Sequence, residues 1–170
     1  MTEVDKAATV AKLVFMTTTS RLSGLIRLFE KGAVSHVCSV LDDGSAVSSD
    51  LGAGVKHESL ETALLGASMQ ITVDVPMDPV MYADWKDYLL RRVGEPFDTR
   101  GVLGMALPFD FHQVGALFCA AIAVGALRHC RRFPHELSLK FHRVTPVVLL
   151  MMLQSQPLLT VTIHDPVMLV

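Results

Sequence analysis

Cysteine is scarce in this chain. Cys38, Cys119 and Cys130 are the three among 170 residues, an odd number with no CxxC spacing. That pattern excludes a disulfide framework and fits a reducing compartment or a single functional thiol. An excess of one charge is lacking too. Fifteen basic residues face seventeen acidic ones, for a formal net charge of −2, and their mixing leaves no basic stripe of the kind nucleic-acid binders carry. A bilayer span needs roughly 20 apolar residues. The longest apolar run, residues 114–127, has 14 with two glycines among them, and is expected to be a buried core helix. The opening Met1-Thr2-Glu3-Val4-Asp5-Lys6 lacks the basic-then-apolar pattern of a secretory signal. Repeats, low-complexity tracts and Pro-, Gly- or Ser-rich linkers are absent as well. What remains is 51% hydrophobic and 19% charged, enough to build a real core. One domain over residues 1–170, cytoplasmic and with no transmembrane segment, is expected. A phage or prophage origin fits the same composition, and oligomeric state is left open.

The apolar spacing predicts a mixture of elements. Residues 12–17 read as a short buried strand. Ser20 can cap a helix over 20–31, with Leu22, Leu25, Ile26 and Phe29 at helical spacing and Gly32 ending it. A strand over 36–41 leads through Asp42-Asp43-Gly44, a hairpin turn, into a second strand over 45–49. Gly52-Ala53-Gly54 is expected to be a loop, followed by a short helix over 59–65. Residues 69–75 alternate, with Ile71, Val73 and Val75 on one side. Pro79 opens a helix over 79–93, and Gly94-Glu95-Pro96 breaks it. Thr145-Pro146 starts a helix through residue 154, and 158–163 is a last apolar strand. The predicted class is α+β, an antiparallel sheet with helices packed against it.

Two residues stand out chemically. A cysteine attacks only as its thiolate, and a neighbouring histidine or a helix N-terminus favours that form. Cys119 lies in Phe118-Cys119-Ala120-Ala121-Ile122, which could begin a helix. No Ser, Thr, Asp or Asn cap precedes it, so a start at Gln113 or Gly115, with the thiol mid-helix, fits equally. His36 begins a strand and shares a face with Cys38 and Val40. As a base it needs reach to the thiol and a partner for its other ring nitrogen. Other candidates are weaker. Ser35, Ser39 and Ser49 have no nucleophile elbow. His129, His135 and His142 have no usual zinc spacing, and with Arg128, Arg131, Arg132, Lys140 and Arg143 they read as a solvated basic edge. Gly52-Ala53-Gly54-Val55 lacks the strand-turn-helix setting of a dinucleotide site.

Several segments together resemble a known family. Leu13-Val14-Phe15, then residues 20–29 with the Ile26-Arg27 pair, then Ser35-His36-Val37 look like the opening of circularly permuted papain-like proteins, a branch of the NlpC cell-wall amidase superfamily. Gly94-Glu95-Pro96-Phe97-Asp98 and Gly101-Val102-Leu103-Gly104 resemble that family's Gly-x-Pro-Tyr-Asp turn and its sequel. Leu117-Phe118-Cys119 with Ala126-Leu127 resembles its nucleophile helix, and Val144-Thr145-Pro146 with Leu149-Leu150 its closing helix. The pieces run in order over about residues 12–153.

The resemblance implies a permuted papain-like fold in which the histidine precedes the cysteine. It makes Cys119 the nucleophile and His36 the general base of a cysteine amidase or peptidase, with no cofactor and no metal. Relatives act on peptide or lipid amides, so the implied substrate is a cell-wall peptide or an acyl-lipid. The family's third position, a polar residue and often glutamate, falls on Ser48. Two departures follow. Serine accepts a hydrogen bond but brings no negative charge, which leaves Asp50 as another orienting group. The family's Cys-Ser-Glu is Cys119-Ala120-Ala121 here. A papain-like module with weak or no catalysis, used for binding or assembly, is the alternative these losses raise.

Overall fold

A computed structural model describes residues 9–18, 33–101, 115, 117–133, 144–155, 162–163 and 167–168. The expected helix over 20–31, the segment after Gly101 and most of the basic edge (His135 and His142 included) lie outside them. Strand β1 spans Thr9–Thr18, β2 His36–Val40, β3 Ser45–Asp50, β4 Gly54–Ser59 and β5 Ala67–Met77. Two short pieces, β6 (Thr162–Ile163) and β7 (Val167–Met168), both pair with β5. The helices are α1 (Leu60–Ala63), α2 (Pro79–Arg91), α3 (Cys119–His129) and α4 (Pro146–Ser155). Every strand pairing is antiparallel, and the order across the sheet is β4-β3-β2-β1-β5-β6.

β1 sits mid-sheet between β2 and β5 and is covered on both faces. Leu13 and Phe15 point into the main core, while Val14 and Met16 join Cys38, Val40 and Ala46 in a smaller cluster on the opposite face. A strand segment buried on both sides is apolar at successive positions instead of alternating, as this one is from Leu13 to Met16. The β2–β3 hairpin turns through Asp42-Asp43-Gly44. Gly44 takes φ +81° there, a left-handed conformation that side chains disfavour, and Asp43 accepts the Ser45 N–H.

α2 begins as the sequence predicts. Asp78 accepts the N–H groups of Val80 and Met81, Pro79 fills the first position, and Tyr82, Trp85 and Leu89 form the buried stripe. α3 is buried almost all round, packed against β2, β3, α2 and α4. That burial explains why its sequence is apolar without amphipathic spacing. α4 opens with Thr145 accepting the Val148 N–H, as Thr-Pro predicts. Among the described residues no helix is long and apolar enough to cross a membrane.

One strand differs from expectation. β4 begins at Gly54, the last residue of the expected loop, and runs through residues 55–58, for which no element was expected, because it lies at the sheet edge and buries only Gly54 and Val55. Its remaining Lys56, His57, Glu58 and Ser59 are polar, as edge strands that resist further pairing tend to be. The following helix is correspondingly shorter than expected, at Leu60–Ala63.

Candidate active site

Cys119 is the first residue of α3, which resolves the two starts the sequence left open. Phe118 precedes it in extended conformation and offers no side-chain cap, and the first turn closes from the Ile122 N–H to the Phe118 carbonyl. The N–H groups of residues 119–121 therefore point out of the helix end unclaimed by its own ladder, beside the positive end of the helix dipole.

The backbone just before Cys119 is held from two sides. The Leu117 N–H donates to the Pro96 carbonyl at 3.0 Å, and the Asp98 N–H donates back to the Leu117 carbonyl at 3.4 Å. The buried Ser49 hydroxyl donates to that same carbonyl at 2.6 Å. The turn containing Pro96 is in turn fixed to β4: the Gly94 N–H donates to the Val55 carbonyl and the Val55 N–H to the Glu95 carbonyl. Asp98, fully buried, accepts the Gly101 N–H. The Gly94-to-Asp98 segment thus ties the sheet edge to the lead-in of α3.

His36 meets Cys119 where β2 and β3 stop pairing. Their ladder covers Ser39↔Val47 and Val40↔Ala46. Continued by three residue pairs, it would set His36 opposite Asp50; instead β3 turns its Ser49 to Leu117, and the first residue of α3 reaches the gap. There the His36 imidazole is in hydrogen-bonding contact with the Cys119 thiol. Its Nε2 lies 3.4 Å from Asp50 Oδ1. Burial pulls the His36 pKa down, but Cys119 and then Asp50 outweigh it, and the net shift is upward despite the opposing charge of Lys56. The imidazole side chain is 14% exposed and Cys119 is 5% exposed.

Asp50 has a second tie. Lys56 Nζ lies 2.7 Å from Asp50 Oδ2 and 2.8 Å from Glu58 Oε1. Ser48, the expected third position, is buried on the same face of β3 two residues before Asp50, with Lys56 as its cross-strand partner. The oxygen placed at His36 Nε2 belongs to Asp50.

The other two cysteines are placed differently. Burial, followed by the charges of Asp50 and Cys119, pushes Cys38 from 9.0 up to about 12. Cys130 is also raised by burial, and its thiol donates to the Leu127 carbonyl.

The fold resembles that of YiiX. The crystal structure of metalloprotein YiiX from Escherichia coli O157:H7 overlays with a TM-score of 0.59 at 14% identity, covering 91% of this chain and 96% of that one. No protein-family model matches the chain, and no curated protein matches it in sequence. The likeness to YiiX bears out the architecture read from the sequence: an antiparallel sheet with helices packed against it. Metal binding is stated for YiiX. Among the described residues no three His, Cys, Asp or Glu side chains cluster to hold a metal ion.

A Ser/His/Asp cluster on the hairpin was not foreseen in the sequence. Ser45 Oγ donates to Asp43, and His57 Nε2 lies 2.7 Å from that same oxygen. The one hydroxyl proton goes to the carboxylate, so His57 must donate to Ser45 and cannot serve as its base. The cluster stabilises the turn.

Proposed function

We propose that the chain is a cysteine hydrolase or acyl transferase acting on an amide, ester or thioester carbonyl. The observation that carries this reading is the contact between Cys119 and His36, with Asp50 at the remaining ring nitrogen. Nucleophile, base and orienting group stand in the order that activated thiols require. The YiiX-like fold supports it at the level of architecture alone.

The steps follow from the placement. With Nε2 turned to Asp50, Nδ1 is left to take the Cys119 proton, and the sulfur attacks the carbonyl carbon. The oxyanion of the tetrahedral intermediate is held by the Cys119 N–H at the start of α3. Collapse breaks the bond to the leaving group, which takes the proton from His36. Water or another acceptor then attacks the thioester, giving its proton to His36, and Cys119 Sγ leaves and is reprotonated. The carboxylate of Asp50 stabilises the imidazolium between steps, the task that Ser48 lacks the charge to perform. A cell-wall peptide or an acyl-lipid, the substrates of the family resembled, fits this chemistry.

A second reading, a papain-like module with weak or no catalysis, is favoured by one observation: the Cys119 side chain is nearly covered. Incubation with a small activated thioester, followed by intact and peptide mass analysis, separates the two. The enzyme reading expects one acyl group on Cys119, absent in Cys119→Ala and slow to form in His36→Gln. Acylation spread over lysines, or none on folded protein, supports the module.

A further inference from the structure

We infer that Lys56 is a positioning residue: it braces the Asp50 carboxylate so that one oxygen stays on His36. The inference rests on the proposed Cys119–His36 site and adds to it a component on the sheet edge.

The geometry starts from the sheet. In the β3–β4 ladder Ala46 faces Glu58, Ser48 faces Lys56 and Asp50 faces Gly54. Cross-strand partners share a face, so Asp50, Lys56 and Glu58 all stand on the side of the sheet that carries Cys38, Val40 and His36. Asp50 is the last residue of β3, opposite a glycine that gives its side chain nothing to lean on. Its carboxylate is 38% exposed, and its 3.4 Å contact with His36 is longer than a good charge-assisted hydrogen bond. Unaided, such a carboxylate gains more from water than from one long contact, and rotation about χ1 would carry it away.

Lys56 prevents that rotation. Its ammonium lies 2.7 Å from Asp50 Oδ2, the oxygen turned away from His36, while Glu58 Oε1 at 2.8 Å anchors the ammonium from the other side. Burial lowers the Lys56 pKa, but its bonds to Asp50 and Glu58 outweigh this, so the net shift is upward. The brace is therefore charged throughout the range in which His36 titrates. The sequence places these parts at alternate positions of one strand, Lys56 and Glu58, beside the end of its neighbour.

Lys56 has two opposed effects on His36, and their signs make the inference testable. As a cation it repels the imidazolium. As a brace it keeps the carboxylate that attracts it. Among the described residues, the groups that face His36 are Cys119 from α3, Asp50 from β3 and Lys56 from β4, and the pull of Asp50 exceeds the push of Lys56. Removing a mere bystander cation raises the His36 titration midpoint. Removing a brace lowers it, because the carboxylate leaves.

The experiment is imidazole NMR titration of His36, assigned with His36→Gln, in the wild type, Lys56→Met, Lys56→Arg, Asp50→Asn and the Lys56→Met/Asp50→Asn pair. The expected result is a midpoint lowered by several tenths of a pH unit or more in Lys56→Met, restored in Lys56→Arg, and no lower in the pair than in Asp50→Asn. An unchanged or raised midpoint in Lys56→Met overturns the inference, as does a full-size loss that persists without Asp50. The readout is His36 itself. A His36 that follows Lys56 while Cys119 fails to acylate refutes the enzyme reading and leaves the brace standing; the converse refutes the brace alone.

Discussion

Burial alone drives an imidazole toward its neutral form, so a buried histidine whose pKa is raised must have acquired favourable charge at short range. His36 acquires it from Cys119 and Asp50, two residues far apart in sequence. Of this arrangement, His36 and Cys119 were legible only through resemblance; spacing by itself gave no reason for them to meet. Asp50 was legible as an alternative, and Ser48 was favoured because it fell at the family's third position. What the sequence could not show is that β2 and β3 part after Ser39 and Val47, which opens the gap beside His36 that the start of α3 reaches. The period-2 alternation puts Ser48 and Asp50 on one face and cannot rank them. Substitution can. Asp50→Asn is expected to slow alkylation of Cys119 at pH 7 by about tenfold, the effect of about 1.4 kcal/mol of lost charge stabilisation. Ser48→Ala is expected to stay within about twofold, the scale of a change that leaves the charges in place. A second-order rate measured by mass on the Cys119 peptide decides between them, and the reverse ranking returns the role to Ser48.

Among the elements, α3 was half legible. Its apolar run announced burial, but without a capping side chain its first residue stayed undetermined, since the start is set by tertiary bonds from Pro96, Asp98 and Ser49. β4 was missed for a related reason: an edge strand with one apolar side chain carries no alternating signal. Its first residue is nonetheless where site and sheet are coupled. Gly54 takes φ +72°, and a Cβ there would stand 2.3 Å from the Glu95 carbonyl oxygen and 3.2 Å from Pro96 Cα. Both neighbours are backbone, so neither can swing aside. Gly54→Ala combines left-handed strain with that clash and is expected to cost about 2 kcal/mol or more in urea unfolding. It should also slow Cys119 acylation in the protein that remains folded, because the displaced turn is the one whose Pro96 carbonyl accepts the Leu117 N–H. Wild-type stability in this variant would show that the Glu95–Pro96 turn does not bear on β4.

For the molecule as a whole, the α+β class followed from the number and kind of elements, since strand and helix periodicities interleave along the chain and few of them depend on distant contacts. The distribution of cysteines between buried clusters did not follow, and it shapes the response to pH. Cys38 is held as a neutral thiol to about pH 12, against 9.0 ordinarily, chiefly by burial among Val14, Met16, Val40 and Ala46. Its contribution to stability is complete below pH 9, where the thiol is neutral in both states. Above that the unfolded chain ionises first, so stability falls progressively as pH rises toward 12. The upward shift at His36 acts in the same sense from a lower pH: its contribution is complete below about 6.5 and is lost as pH rises through the raised value. By pH 10 the Cys38 contribution alone amounts to roughly 1 kcal/mol of lost stability. Urea unfolding at pH 8 and pH 10 should therefore show a smaller fall in Cys38→Val than in the wild type. Parallel falls would mean that the thiol is not protected as its position indicates.

The pairing of Cys119 with His36 is most directly tested by alkylation of the folded protein. Limiting iodoacetamide is applied from pH 5 to 9, with labelling of Cys38, Cys119 and Cys130 resolved by peptide mass in the wild type, His36→Ala and His36→Gln. An imidazolium in contact with the sulfur stabilises the thiolate, so Cys119 should label well below pH 8 and at least about tenfold faster than Cys38 and Cys130. Both His36 variants should lose that low-pH reactivity. Labelling of Cys119 no faster than Cys38 or Cys130, or only once the protein unfolds, or at a rate indifferent to His36, contradicts an activated nucleophile at this position.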